Sequence, residues 1–169
     1  MNHSWFRYTG IISGPFFSWG IASGFLGYDV KKKTAWLYDE GTLPVSYTEI
    51  SQVGLAVARS LERGVTGYLH ISSITTTQNE IMKTLEHLSG TNWQKNPIST
   101  SHAYALSADM MKSENEEMRF KGSMLRAMRW VYGADCGGNW GEGDNVKLGL
   151  ETKKNLDEMV KLALKEEFE

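Results

Sequence analysis

Tyr104, Trp130, Tyr132 and Trp140 place O–H and N–H donors on large apolar side chains, with Asp109 and Asp135 nearby in sequence as candidate acid or base. Phe16, Phe17, Trp19, Met110 and Met111 add apolar bulk outside the regular helix and strand patterns. This combination suits one kind of chemistry. It can enclose a greasy molecule, polarise one of its oxygens through a donor, and supply a carboxyl group as acid or base. Methionine fits irregular ligands for the reason it fits irregular cores. Taken singly, each of these residues can as well fill a core. Together they predict an apolar cavity with a few polar tips.

Other chemistries find less support. The glycine run from Gly133 to Gly143 follows a predicted helix rather than a strand, and it carries Asp135 and Glu142, which repel phosphate. It reads as a mobile lid or a plain connector. His3, His70, His87 and His102 are scattered without metal-ligand spacing, so no metal is expected. Cys136 has no identifiable base beside it and makes a weak nucleophile.

Those residues need a scaffold. With 169 residues, 41% of them hydrophobic, the chain is expected to bury one core as a single domain over residues 1–169. A formal net charge of -2 gives no electrostatic footprint for nucleic acid or an anionic membrane. The apolar run from Ile11 to Leu26 is too short and too interrupted by Gly, Ser and Pro to span a bilayer. A single cysteine and the lack of a signal-peptide pattern make a cytoplasmic location the expectation.

Trp5 to Ser13 reads as a strand running into the Gly14-Pro15 loop, followed by a short helix or irregular segment from Phe16 to Tyr28. Thr34 to Tyr38 reads as a strand closed by the turn Asp39-Glu40-Gly41. Ser46 and Glu49 form a capping-box pattern ahead of a helix lined by Ile50, Val53, Val57 and Leu61, ending near Gly64. A buried strand from Tyr68 to Ser72 comes next. A second capping box, Thr77 with Glu80, precedes a helix that Gly90 stops. Trp93 to Ser99 reads as an edge strand because of Pro97. Helices are expected over 101–111, 115–132 and 152–168. Strands alternating with helices, then helices alone, predict an α/β fold: a truncated Rossmann-like sheet remnant with a helical cap, α+β-like in character.

The stretch Tyr8-Thr9-Gly10-Ile11-Ile12-Ser13-Gly14-Pro15-Phe16-Phe17-Ser18-Trp19 resembles the segment that opens the second half of NmrA-like and isoflavone-reductase-like proteins, which are atypical short-chain dehydrogenases. Tyr38 to Gly41, Gly67 to Ser73 and Thr75 to Ile81 are similar to the family in order and spacing. Ser18 stands where many relatives carry an aspartate. The resemblance implies that Phe16, Phe17 and Trp19 line a substrate pocket and that Tyr104, Met110 and Met111 fall on the next pocket-facing helix. In the family the nucleotide-binding half, with its glycine fingerprint and catalytic lysine, precedes this region, whereas Met1 lies a few residues before the first match. No position corresponds to that lysine, so no cofactor is expected.

The expectation is therefore a cofactor-independent cyclase or isomerase, a Diels–Alder-type pericyclase included, acting on an apolar secondary-metabolite intermediate. The alternatives are a non-catalytic binding or regulatory module and a truncated NAD(P)H-dependent reductase. A homodimer is expected to cover the sheet edge left open near the N-terminus.

Overall fold

The computed structural model describes residues 7–136 and 138–166. Trp5 and Phe6 of the predicted first strand, His3, Gly137 of the glycine run and the predicted helical turn through Phe168 lie outside the described residues.

The expected α/β architecture is present, as three small sheets with helices packed around them. Strand β1 (Thr9–Ile12) pairs in parallel with β5 (Gly67–His70), Thr9 opposite Gly67 and Ile12 opposite His70. Strands β2 (Tyr28–Asp29), β3 (Thr34–Tyr38) and β7 (Gln94–Ile98) form a mixed sheet with β7 at its edge, where Pro97 is tolerated. A third, antiparallel pair joins β4 (Pro44–Tyr47) to β6 (Ile74–Thr77).

Helix α1 (Phe17–Ala22) follows β1, α2 (Ile50–Glu62) follows β4, and α3 (Gln78–Ser89) follows β6. The helices α4 (Thr100–Met110) and α5 (Glu116–Tyr132) pack against each other as a hairpin cap. Gly122 permits that contact, since a Cβ there would lie 3.0 Å from Met110 Cβ and 3.1 Å from the Met111 amide. A short α6 (Asn145–Leu148) and the terminal α7 (Leu156–Glu166) complete the chain. Met159, Val160 and Ala163 of α7 join the main core, with α7 packed on α1. A smaller core of Ala56, Leu69, Ile71, Leu148 and Leu150 sits under α2.

Two local predictions hold atom by atom. The Thr77 hydroxyl accepts from the Glu80 amide at 3.1 Å, the Glu80 carboxylate accepts from the Thr77 amide at 3.0 Å, and Gly90 ends α3 at φ 64°. The Ser46–Glu49 pattern does not form a capping box. Ser46 belongs to β4, where its hydroxyl meets that of Thr75 at 3.0 Å, and Glu49 is itself the N-cap residue with its carboxylate turned inward to accept from Ser18 at 2.7 Å. Of the apolar stripe predicted on α2 only Val53 packs inward, against the smaller core, and the other three residues face outward. Gln52, Ala56 and Ser60 are buried, while Ile50, Val57 and Leu61 are 53%, 45% and 76% exposed. Gln52 tolerates burial because its amide donates to the Ser72 and Glu151 carbonyls and accepts from the Ser73 hydroxyl.

The glycine run is a connector held along its length. Ser46 N–H donates to the Gly138 carbonyl, the Trp140 indole donates to the Ile71 carbonyl at 3.1 Å, and the Ser72 hydroxyl donates to the Gly141 carbonyl at 2.7 Å. Asp144 accepts from the His70 amide at 2.9 Å, and the Asn145 amide group donates to the Ser72 carbonyl at 2.6 Å.

Replacing Thr77 by Ala removes one half of the intact capping box and is expected to cost about 1 kcal/mol. The check is a urea melt in which the midpoint falls and the slope does not change.

Candidate functional site

Beside the main core lies a cleft of about 590 Å³. Alternation along β3 puts Trp36 and Tyr38 on the side opposite Leu37, and these two rings line it. The segment after α1 supplies Phe25, Gly27, Tyr28 and Val30 as one wall; α4 and α5 supply Met110, Met124, Leu125 and Met128 as the other. Asp29, Lys31 and Lys121 stand at the same cleft, with Asp29 held by Lys32 at 3.1 Å and Lys121 by Glu117 at 2.7 Å. The lining is that of a site for an apolar molecule.

Its polar floor is built from phenols. Tyr38 stacks on Tyr132 with ring centroids 5.2 Å apart and planes 8° from parallel. Tyr132 donates to the Leu26 carbonyl at 3.2 Å, Tyr47 donates to the Tyr132 hydroxyl at 3.4 Å, and Tyr28 donates to the Gln78 carbonyl at 3.0 Å. The Tyr38 hydroxyl alone of these four has no hydrogen-bond partner among the described residues; the ring is buried, but the hydroxyl itself is open to solvent at the cleft. Burial pushes the Tyr38 phenol up to about 12 and holds those of Tyr28, Tyr47 and Tyr132 well above the ordinary value. At neutral pH Tyr38 is therefore a neutral donor looking for an acceptor.

A second cleft of about 580 Å³ lies at the other end of the α4–α5 hairpin. It brings together Tyr104, Trp130 and Asp135 from the predicted set, with Ser101, Arg129 and Cys136. Asp135 is paired with Arg129 at 2.6 Å; its own backbone amide, then the Cys136 thiol, hold its carboxyl below the usual range. Burial and the neighbouring Asp135 push the Cys136 thiol up, away from the reactive thiolate. Tyr104 accepts from Arg126 at 2.7 Å, with that guanidinium 4.8 Å above its ring. Trp130 is 65% exposed.

The remaining predicted site residues are dispersed. Met110 lines the first cleft, and Tyr132 lies behind Tyr38. Phe17 is buried edge-on to Tyr47, and Phe16 forms an isolated bridge with Thr48. Trp19 lies outside the lining, against Phe25 at 5.6 Å. Met111 contacts Arg126, Asp109 is exposed beside Lys112, and the Trp140 indole is committed to Ile71. Sequence reasoning missed Trp36 and Tyr38, whose common face is readable from strand alternation.

Among the described residues no cluster of His, Cys, Asp or Glu could hold a metal, and no helix is long and apolar enough to cross a membrane. The heads of α3 and α4 are a poor fit to the pyrophosphate of a pyridine nucleotide. Pyrophosphate needs open amides at a strand-to-helix turn. Before α3 and α4 those places hold the chain's own carboxylates, Glu80 in its capping box and Asp39, which accepts from the Thr100 amide and hydroxyl at 2.9 and 2.6 Å, whereas the heads of α1 and α2 have no side-chain cap.

No protein-family model matches the chain. Over 90 residues it is 35% identical to "Oxidoreductase aprR" of Aspergillus flavus, covering 52% of this chain and 30% of that protein. "Oxidoreductase poxI" of Penicillium oxalicum is 26% identical across 92% of this chain and 51% of its own length. Among solved structures, "AtPrR2 with NADP+ and (+)pinoresinol" superposes with a TM-score of 0.65 at 17% identity, and "Isoflavone Reductase" with 0.64 at 15%. They cover 92% and 91% of this chain and 51% and 52% of theirs. The fold is thus part of the Rossmann-like reductase fold, and the chain spans about half the length of these structures and of poxI, and less of aprR.

The four raised phenols set an alkaline limit on stability. Their folded values lie above the unfolded value near 10, so their stabilisation is complete below about pH 10 and is lost as pH climbs through the folded values. Denaturant melts at increasing pH should show stability level in these groups up to about pH 10 and falling beyond it. Tyr38→Phe should make the fall shallower.

Proposed function

We propose that the chain seats an apolar, oxygen-bearing small molecule in the cleft between β3 and the α4–α5 hairpin and polarises that oxygen through Tyr38. The observation that carries this reading is a neutral phenol with a buried ring, whose hydroxyl has no partner among the described residues and opens on a methionine-lined cleft. Such a group can stabilise charge developing on a carbonyl oxygen without transferring its proton. A bond that strengthens by ~1.5–3 kcal/mol in the transition state accelerates the step roughly ten- to a hundredfold. The chemistry that asks least beyond this is a redox-neutral cyclisation or isomerisation. A pericyclic closure exchanges π for σ bonds inside one substrate and takes up neither electron nor proton, so shape and one donor serve it. Relatives named oxidoreductases in fungi support an enzyme scaffold and, with the apolar lining, a secondary-metabolite intermediate as substrate.

A second reading is favoured by one observation: solved reductases of this fold are about twice as long as this chain. On that reading the cleft presents its ligand to a pyridine nucleotide held elsewhere.

Matched probes test the first reading. 2-Acetylnaphthalene and 2-ethylnaphthalene share a shape and differ in the carbonyl, and Trp36 reports their entry by fluorescence. Tyr38→Phe is expected to weaken the ketone roughly fivefold and leave the hydrocarbon within about twofold, as one hydrogen bond is worth about 1 kcal/mol. Equal affinities in both proteins would remove Tyr38 as donor. Saturable NADPH binding by the chain alone would overturn the cofactor-free chemistry.

We also infer that a second copy covers the unit made by β1, α2 and β5. One edge of β1 has no strand partner among the described residues, and α2 turns Ile50, Val57 and Leu61 outward. An edge that pairs antiparallel with its own copy closes about a two-fold axis and leaves nothing to propagate. Light scattering at micromolar concentration should return a dimer, and Leu61→Lys should shift it towards monomer. A clean wild-type monomer discards the idea.

A further inference from the structure

We propose that Gln78 is the positioning residue for the cleft's donor; this rests on the reading of Tyr38 given above. The residue lies in the run Thr75-Thr76-Thr77-Gln78-Asn79-Glu80, which closes β6 and opens α3. Its neighbours Thr77 and Glu80 cap the helix, but Gln78 takes no part in that cap and is fully buried.

Every polar atom of its side chain is spent on the cleft. The Gln78 Oε1 accepts from the Tyr38 amide at 2.8 Å, and its Nε2 donates to the Trp36 carbonyl at 3.1 Å and the Leu26 carbonyl at 3.4 Å. Only this orientation of the amide works, because the opposite one would set an NH2 against an N–H and an oxygen against two carbonyls. Its backbone carbonyl accepts from the Tyr28 hydroxyl at 3.0 Å. One residue therefore ties β3, which carries Trp36 and Tyr38, to the segment after α1, which carries the opposite wall.

The Leu26 carbonyl extends this control to the ring behind the donor. It accepts from Gln78 and also from Tyr132, on which Tyr38 stacks. Gln78 fixes Tyr38 at its backbone and, through Leu26, fixes the surface its ring rests on. Without it β3 keeps its ladder with β7 and the Trp36 amide bond to the Gly27 carbonyl, but loses the bonds to the Tyr38 amide and the Trp36 carbonyl that flank the ring.

A double-mutant cycle tests this, using wild type, Gln78→Met, Tyr38→Phe and the pair, titrated with 2-acetylnaphthalene and 2-ethylnaphthalene. Gln78→Met is expected to weaken the ketone about as much as Tyr38→Phe does, roughly fivefold, to leave the hydrocarbon within about twofold, and to add nothing in the Tyr38→Phe background. Three outcomes overturn the proposal: a ketone loss that persists in that background, an equal loss for both probes, or no loss while Tyr38→Phe alone shows one. If Tyr38→Phe alone changes nothing, the donor reading falls and takes this proposal with it. Should Gln78→Met lose its near-ultraviolet circular dichroism, the same cycle is run with Gln78→Glu, which keeps an acceptor for the Tyr38 amide. A ketone loss that persists with Tyr38→Phe overturns the proposal there too.

Discussion

A phenol or amide removed from water must find a partner or lose one to a few kcal/mol. This chain buries Tyr28, Tyr47, Tyr132 and Gln78 at the centre of its main core, each less than 3% exposed. Their bonds run between elements rather than within them, joining α3 to β3, α5 to the segment after α1, and β4 to α5. The apolar core supplies most of the stabilisation, as in any domain of this size, but it is indifferent to small slips. The polar bonds are not. They fix how β3 meets the helices, and the cleft is the space left at that junction.

The same requirement decides what stands at two of the helix starts. A helix N-terminus left open attracts negative charge. Here Glu80 reaches back to cap α3 and Asp39 reaches across from the turn after β3 to the head of α4. Glu49 stands at the head of α2, with Ser18 donating to its carboxylate. The positive ends of α3 and α4 are thus neutralised from within. Similarity to these structures shows the fold alone, and at the heads of α3 and α4 the chain's own carboxylates disfavour phosphate.

Features encoded by neighbours in sequence were legible, and those decided by distant contacts were not. Thr77, Glu80 and Gly90 specify their helix within a dozen residues, and the structure repeats them atom for atom. Thr34 to Tyr38 likewise reads as a strand from its residues alone. Ser46 and Glu49 have the same local pattern as Thr77 and Glu80, yet pairing with Thr75 draws Ser46 into β4. The spacing of Ile50, Val57 and Leu61 predicts a buried face, but Gln52 finds carbonyls at Ser72 and Glu151 that lie 20 and 99 residues away. Periodicity reports that a helix has an apolar side; it does not say what covers it. At the site, donors were sought among the helices of the cap, whereas the unpaired phenol is on a strand that alternation already placed on one face with Trp36.

Helix α5 shows why the cap still matters. It offers Met124, Leu125 and Met128 to the apolar cleft and Arg129 and Trp130 to the polar one, so the two clefts share a wall. The contact at Gly122 holds α5 close to the end of α4, and a side chain there would press on Met110, which lines the apolar cleft. The charged cleft spends its groups on each other, Arg129 on Asp135 and Arg126 on Tyr104. The apolar cleft keeps one phenol in reserve. A group already satisfied by the protein gains little from a ligand, whereas a donor with no protein partner gains the net value of one hydrogen bond, about 1 kcal/mol. That difference, more than volume, separates the two clefts.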